Sequence, residues 1–247
     1  MTLCRVRVIA VTKPVVLDIP TVEDLIVYQA RVSAPKNQEK MLAGEATVSS
    51  EKFIQSCKDR AEWSVFQMAN ANLEIIGPRD VTRQFTRHES MAVVEMDEEL
   101  AFVPDGMNKH AGGVQEFSQR YAPVMATCER EARAADPKDR QNSVAGGLTY
   151  YAEQFADTSN TELLKQAMSE YQTRLELGEA KETARVILPE GLVMSRLYVN
   201  GTLRSWMHFV DVRERHATQK EHRELAGQIK AALAEHFPIL FPEQADA

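Results

Sequence analysis

Alternating hydrophobic and polar positions predict three β-strands. In the first, Val6 and Val8 face one way while Arg7 faces the other, and a period of two residues is that of a strand. The third lies in the second half of the chain, well separated from the others. The strands are predicted over residues 5–13, 67–76 and 192–199.

Apolar residues at helical spacing predict helices around these strands. Thr21 begins one that runs to about Ser33, and Ser49 or Ser50 begins a second that contains Cys57; each is a residue type favoured at a helix start. Residues 148–177 are expected to form one or two helices with a break near 157–160. Further helices are predicted over residues 79–88, 181–188, 202–213 and 218–237.

The helix over residues 79–88 combines a buried side with a polar arc. At about 100° per residue, Val81 and Phe85 share the buried side, while Gln84, Arg87 and His88 fall on the arc beside it. Three different polar groups then point one way from one rigid element, as in a site for an anion. The alternative is a solvated helix end.

A second polar group is expected at residues 115–121, which the pattern predicts to be extended. Glu116, Ser118 and Arg120 then share one face, an unusual choice for a buried sheet. The alternative is an exposed pair of Glu116 and Arg120 with little energetic value. Residues 90–113, which are acidic and contain glycines, are interpreted as an inserted loop.

The helix over residues 202–213 places a cation on its apolar side. Trp206 and Phe209 define that side, and Arg213 falls in its middle. A guanidinium there is costly unless an anion or carbonyl groups receive it. The alternative is that Arg213 satisfies carbonyls at the helix end. The opposite arc carries Arg204, His208, Asp211 and Arg215.

Charge and composition narrow the class of protein. The net charge is −7, which argues against general nucleic-acid binding. Of the 29 cations 18 are Arg, which suits bidentate contacts to phosphate or carboxylate. The three cysteines form no CxxC and predict a reducing, cytoplasmic setting. Neither a signal peptide nor an apolar run long enough to cross a membrane is present.

Several common chemistries have no support. The sequence lacks both GxGxxG after a strand and GxxxxGK[ST], so neither a Rossmann site nor a P-loop is predicted. His216 and His222 are six residues apart, on different sides of a helix, so no metal site is expected. Ser118 is a conceivable nucleophile, but no histidine is placed beside it.

These residues resemble the flavin-dependent thymidylate synthases, the thymidylate synthase complementing protein family. The similarity extends in the family's order over roughly residues 60–230. It is carried by Glu62-Trp63-Ser64-Val65-Phe66, Arg83-Gln84-Phe85, Arg87-His88 with Gln115-Glu116-Phe117-Ser118-Gln119-Arg120-Tyr121, Ala184-Arg185-Val186-Ile187-Leu188-Pro189, Leu203-Arg204-Ser205-Trp206-Met207-His208-Phe209, Arg213 and residues 216–226.

The resemblance implies a fold, an assembly and a reaction. The fold is α/β of the α+β type, with a central, mostly antiparallel sheet flanked by helices. Residues 1–247 form a single domain with the inserted loop at about 90–113, and the subunits form a homotetramer with active sites at their interfaces. The reaction converts dUMP to dTMP with methylenetetrahydrofolate as one-carbon donor and NADPH as reductant through FAD.

The resemblance also assigns roles to individual residues. Arg213 is expected to bind dUMP and to stabilise negative charge that develops on the uracil ring, an effect strongest in a dry setting. The remaining residues are divided between the two ligands, and Arg87 and Glu116 are assigned to both. The dUMP set is Gln84, Arg87, Glu116, Ser118, Arg120, Arg185 and Arg213, and the FAD set is Ser64, Arg87, His88, Glu89, Glu116, Thr202, Arg204 and His208.

The chain departs from the family pattern at two places. Glu89 follows Arg87-His88 where the family has Arg, and the segment between the two half-motifs is longer and acidic. Two other functions therefore stay open. One is a flavin-dependent methylase or hydroxymethylase of another pyrimidine nucleotide, and the other is a degenerate homologue that binds nucleotide or serves as a structural subunit.

Overall fold

A four-stranded antiparallel sheet with the strand order β1-β2-β6-β3 lies at the centre of the fold. The computed structural model describes residues 3–15, 18–46, 48–86, 113–140 and 142–242, without the side chains of residues 85 and 86. The strands are β1 (Arg5–Val11), β2 (Asn70–Pro78), β3 (Val114–Glu116), β4 (Ala134–Ala135), β5 (Ser143–Val144) and β6 (Met194–Thr202); β4 and β5 form a separate pair. The expected α/β class and the antiparallel sheet are confirmed.

The pairing of β2 with β6 is the longest in the sheet. It runs from Asn70 opposite Thr202 to Pro78 opposite Met194. On β2, Leu73 and Ile75 are fully buried, and they alternate with more polar positions because successive strand residues face opposite sides. β3 adds to the other edge of β6 and ends with Glu116 opposite Leu197.

Helices surround this sheet. The helix starts predicted at Thr21 and at Ser49 or Ser50 are confirmed, with Ser49 as the cap, and Thr202 caps a third helix; each of the three accepts a hydrogen bond from a backbone N–H in the first turn. None of the described helices is both long and apolar enough to cross a membrane. The helices are α1 (Val22–Ala30), α2 (Pro35–Leu42), α3 (Ser50–Asp59), α4 (Arg79–Thr86), α5 (Tyr150–Glu176), α6 (Lys181–Ala184), α7 (Leu203–Arg213) and α8 (Lys220–Ala234), with 3₁₀ helices at Trp63–Gln67 and Arg185–Ile187.

The main core forms where α7 and α8 pack on the sheet. Trp206, Phe209 and Ile229 are completely buried there. The indole nitrogen of Trp206 donates to the carbonyl of Ala71 at 3.1 Å, so its one polar atom is satisfied inside the core. This contact fixes α7 against β2.

One feature of a predicted helix is wrong, and one helix was missed. α5 is continuous through residues 157–160, because polar side chains on an exposed surface cost little and a long helix gains a hydrogen bond with each added residue. α2 was not predicted, since its eight residues are mostly exposed and show little apolar periodicity, although Pro35 occupies a first-turn position.

The end of the predicted helix at His88 and nearly all of the predicted inserted loop, residues 90–112, lie outside the described residues.

Candidate active site

Glu116 ends β3 with its carboxylate surrounded by side chains of α4 and β6. Ser195 donates to Oε1 at 3.0 Å, and Arg79 Nη1 lies 3.4 Å from the same oxygen. Arg83 Nε lies 3.8 Å from Oε2. Glu190 lies within 3.6 Å of both arginines. Because Arg79 is only 8% exposed, the Glu116 carboxylate has a fixed, charge-compensated position.

Gln84 lies on α4 and is tied to the start of α8. Its Nε2 donates to Oε1 of Gln219 at 2.6 Å, and Nε2 of Gln219 donates to Glu221 at 2.9 Å. Glu221 in turn accepts from Arg133 at 2.7 Å. Gln84 is therefore the half-buried end of a chain of hydrogen bonds that leads to the buried Glu221.

Glu221 is ionised although it is only 3% exposed. Burial opposes the charged form, but the hydrogen bonds from Arg133 and Gln219 and the charge of Arg130 outweigh it, so the pKa of Glu221 lies below its usual value. Arg130 also pairs with Asp80 of α4 at 2.8 Å. Asp80 and Gln84 are one turn apart, so α4 is held at two points on one side.

Arg213 is the last residue of α7 and follows the buried Trp206 and Phe209. Its Nε is buried and has no hydrogen-bond partner among the described residues, and burial lowers the pKa of the guanidinium. The Nε atom therefore does not satisfy a helix carbonyl, which was the alternative read from the sequence. A buried cationic donor of this kind favours an acceptor supplied from outside.

Ser118, Arg120 and Arg185 lie on a more open part of the site. Arg120 Nε lies 3.5 Å from the carboxylate of Glu182, and Arg185 Nε donates to the Glu182 carbonyl at 3.3 Å. The Ser118 hydroxyl accepts a hydrogen bond from the Arg120 backbone N–H at 3.4 Å. The structure thus brings Ser118, Arg120 and Arg185 together around Glu182.

The predicted extended conformation of residues 115–121 is wrong beyond Glu116. β3 ends at Glu116, and the backbone N–H groups of Tyr121 and Ala122 both donate to the Ser118 carbonyl. The turn begins directly after the Phe117 N–H, which still donates to the Arg196 carbonyl of β6 at 2.9 Å. Glu116 and Arg120 consequently do not pair with each other; each finds a different partner.

Arg204 and His208 line a cavity of about 790 Å³ beside the 3₁₀ helix Trp63–Gln67. Lys58 and Lys230 add cations to its wall, and Trp63 adds an aromatic ring. Ser64 lies exposed on the 3₁₀ helix, and Thr202 begins α7, where its hydroxyl accepts from the Ser205 N–H at 3.2 Å. Four of the predicted FAD residues therefore lie around this cavity. Arg204 and His208 line it, Thr202 is at the start of α7, and Ser64 is on the 3₁₀ helix beside it.

The predicted dUMP residue and the predicted FAD residues of α7 lie on opposite sides of the helix. Arg213 follows Arg204 by nine residues, which is about 180° around an α-helix. The described part of one chain therefore does not bring Arg213 and the Arg204–His208 pair to a single surface. Arg87, His88 and Glu89 lie outside the described residues.

Comparison with known proteins identifies the family. The profile of the thymidylate synthase complementing protein family matches residues 15–239. The chain belongs to this family. Two full-length relatives are a probable flavin-dependent thymidylate synthase of Paramecium bursaria Chlorella virus 1 and a flavin-dependent thymidylate synthase of Synechocystis sp. Each is 36% identical to this chain over 95% of its residues. The match covers 95% of the viral protein and 96% of the Synechocystis protein.

The fold is shared with a solved structure at lower identity. The crystal structure of a UMP/dUMP methylase, PolB from Streptomyces cacaoi, bound with 5-Br dUMP, has a TM-score of 0.71 and 23% identity. The match covers 98% of this chain and 94% of that chain. The family assignment rests on the sequence matches, and the structural match shows the common architecture.

In this member of the thymidylate synthase complementing protein family, several supporting residues were not found from the sequence. They are Arg79, Glu190 and Ser195 around Glu116, and Gln219, Glu221 and Arg133 beyond Gln84. Their partners are distant in sequence, so no local pattern indicates them. Only Gln219 carried a local signal, as a poor helix-capping residue at the start of α8.

Proposed function

We propose that this protein converts dUMP to dTMP as a flavin-dependent thymidylate synthase, with methylenetetrahydrofolate as one-carbon donor and NADPH as reductant. Family membership and two relatives of that name, 36% identical over nearly the whole chain, support the thymidylate synthase activity and the flavin. The single structural observation that carries the proposal is the buried Nε of Arg213, which lacks a hydrogen-bond partner in the described part of the chain.

FAD fits the cavity at α7. Its volume of about 790 Å³ lies in the range of cofactor sites. Arg204, Lys58 and Lys230 supply charge for a pyrophosphate, and Trp63 and Met207 supply apolar surface. Bound FAD would supply the redox chemistry. The protein residues are proposed to bind and orient it, and they are Ser64, Thr202, Arg204 and His208 together with Arg87, His88 and Glu89.

The dUMP site is proposed along α4, β3 and the segment around Arg185. Arg120 and Arg185 are proposed to receive the phosphate. Arg120 can exchange the exposed Glu182 carboxylate for it at small cost, and Arg185, within the described part of the chain, donates only to the Glu182 backbone carbonyl. Gln84, Glu116 and Ser118 offer hydrogen bonds to sugar and base. Arg87 is proposed to contact both ligands, as is Glu116.

Arg213 is proposed as the catalytic residue. Negative charge on the uracil ring grows as the ring is activated, and a donor in a dry, apolar setting stabilises such charge strongly. Arg213 meets this description through its Nε, which is buried and has no hydrogen-bond partner among the described residues.

A homotetramer with active sites at its interfaces is proposed for two reasons. Arg213 and Arg204 face opposite sides of α7, so a site that uses both needs more than one chain. The chain also exposes large apolar side chains of the kind that subunit contacts cover. They include Tyr121, Met125, Tyr150, Tyr151 and Phe155, each at least 70% exposed. A cytoplasmic location is proposed with this assembly, since Cys4, Cys57 and Cys128 are free thiols.

The test is product formation by purified protein. We expect a flavin spectrum, NADPH oxidation that depends on dUMP, and dTMP formation that needs methylenetetrahydrofolate. Parallel assays with UMP and dCMP test the alternative substrates. A methylated product from one of these but not from dUMP would replace the proposed substrate, and nucleotide binding without flavin binding would indicate a degenerate homologue.

A further inference from the structure

Gln219 begins α8 without capping it. Short side chains such as Ser, Thr, Asp and Asn are preferred at this position because their oxygens accept the unpaired N–H groups of the first turn. Gln219 makes no such bond; its amide lies instead between Gln84 and Glu221. Thr202, at the same position of α7, does cap its helix. The α8 terminus thus lacks a cap where its side chain reaches the candidate site.

Glu221 sets the direction of this chain of hydrogen bonds. An ionised carboxylate only accepts, and two arginines, Arg133 at 2.7 Å and Arg130 at 3.5 Å, keep Glu221 in that form. The amide nitrogen of Gln219 must therefore face Glu221. Its oxygen then faces Gln84, so Gln84 has to turn its own nitrogen toward Gln219. The carbonyl oxygen of Gln84 takes no part in this chain and is left to accept a bond from a ligand.

We propose that Gln219, Glu221 and Arg133 are positioning residues that fix the amide of Gln84, so that it offers its oxygen to an N–H or O–H group of the bound nucleotide. We call these three residues the Gln219 relay. The inference rests on the proposed function, in which Gln84 contacts dUMP. Without the relay, the Gln84 amide can present either end, and the two orientations compete.

The decisive variant is Gln219→Ser. A serine hydroxyl caps α8 but is too short to reach Gln84, so the relay is broken while the helix start improves. In FAD-loaded protein, we expect dUMP affinity to fall about tenfold while the melting temperature stays the same or rises. A purely structural role for Gln219 predicts the opposite, a lower melting temperature. Gln228→Ser is the control: it makes the same substitution on the same helix, and dUMP affinity should not change.

A double-variant cycle separates the effect of the Gln219 relay from the effect of the contact between Gln84 and dUMP. Gln84→Met should also weaken dUMP binding about tenfold, and Gln84→Met combined with Gln219→Ser should be no weaker than Gln84→Met alone, because Gln219 acts only through Gln84. Calorimetric titration measures the dUMP affinity of the unchanged protein, the two single variants and the double variant.

Three outcomes would overturn the proposal in distinguishable ways. Unchanged affinity in Gln84→Met removes the contact between Gln84 and dUMP, and the relay with it. Weak binding by Gln84→Met with normal binding by Gln219→Ser leaves the contact standing and removes the relay. Losses that multiply in the double variant, to about a hundredfold, show that Gln219 acts independently of Gln84.

Discussion

Two groups of proposed dUMP residues are held in different ways. Gln84 and Glu116 are held by other side chains: Gln84 by the half-buried Gln219, and Glu116 by Arg79, whose side chain is 9% exposed. Arg120 and Arg185 lie in the open, and the side chain of Arg120, which pairs only with Glu182 among the described residues, is 63% exposed. Exposed ion pairs contribute about 0–1 kcal/mol, whereas removing one partner of a buried pair costs about 3–5 kcal/mol.

This difference indicates that the proposed site combines residues that are already fixed with residues that can change partner. Gln84 and Glu116 need no rearrangement when a nucleotide binds, since their hydrogen bonds already fix them. Arg120 and Arg185 can leave Glu182 for a phosphate at small cost. Replacing the buried Arg79 should therefore lower stability, whereas replacing the exposed Arg120 should lower the affinity for dUMP.

The largest effect is expected at Arg213, whose Nε is buried like the first group but has no partner among the described residues. Arg213→Ala should lower kcat about a hundredfold or more while the fold and the flavin content are kept, because the variant breaks no described hydrogen bond of Nε. Steady-state dTMP formation measures this. Arg215→Ala, two residues further and paired at the surface with Asp211, should keep nearly normal turnover; similar turnover in both variants would remove Arg213 from catalysis.

The buried group is tested by Arg79→Met. Losing this guanidinium leaves Glu116 without its most buried cation, so we expect the free energy of unfolding to fall by about 3 kcal/mol, the lower end of the range for a buried pair. Chemical denaturation measures the change. Arg83→Met is the matched control on the same helix; its side chain is 49% exposed, and the cost should stay within about 1 kcal/mol. Equal costs would contradict the contrast between buried and exposed partners.

The exposed group is tested by Arg120→Gln. We expect dUMP affinity to fall about tenfold, the value of a charge-assisted hydrogen bond, while the free energy of unfolding changes by no more than about 0.5 kcal/mol. Arg174→Gln on α5 also removes a partly exposed cation with carboxylate partners and should leave dUMP affinity unchanged. A stability loss without an affinity loss in Arg120→Gln would reverse the proposed assignment.

The smallest effect is expected in the acid dependence of stability. The folded-state pKa of Glu221 lies below its ordinary value of 4.5, so the unfolded chain takes up this proton first as the pH falls. The stabilisation is complete above pH 4.5 and is lost as the pH drops through the folded pKa. Glu221→Gln should be less stable at neutral pH but lose less stability between about pH 5 and pH 3. Parallel pH profiles in the two proteins would contradict the role of Glu221.

Local features of the fold were predictable because their causes are local. Thr21, Ser49 and Thr202 begin helices through bonds to residues three positions away, and the start of α4 after Pro78 follows from the same kind of rule. The turn at Ser118 was not predictable, because it depends on where β6 stops pairing with β3. The continuity of α5 likewise depends on its whole length.

In the candidate site, too, local features were predictable and long-range contacts were not. The residue types at Gln84, Glu116 and Arg213 indicated an anion site, and resemblance to a family assigned their roles. The residues that hold them did not appear in any pattern, since Arg79 pairs with Glu116 across 37 positions and Gln219 bonds to Gln84 across 135. Which polar groups meet is decided by packing, and packing is visible only in three dimensions.

The central claim is that the chain uses a flavin to turn dUMP into dTMP, and a single-turnover experiment tests it most directly. Protein loaded with FAD and reduced by NADPH without oxygen is mixed with dUMP and methylenetetrahydrofolate, while flavin absorbance and nucleotide products are followed together. We predict that the oxidised flavin spectrum returns as dTMP forms in equal amount. A protein that binds no FAD, or flavin that is reoxidised without dTMP, would contradict the account.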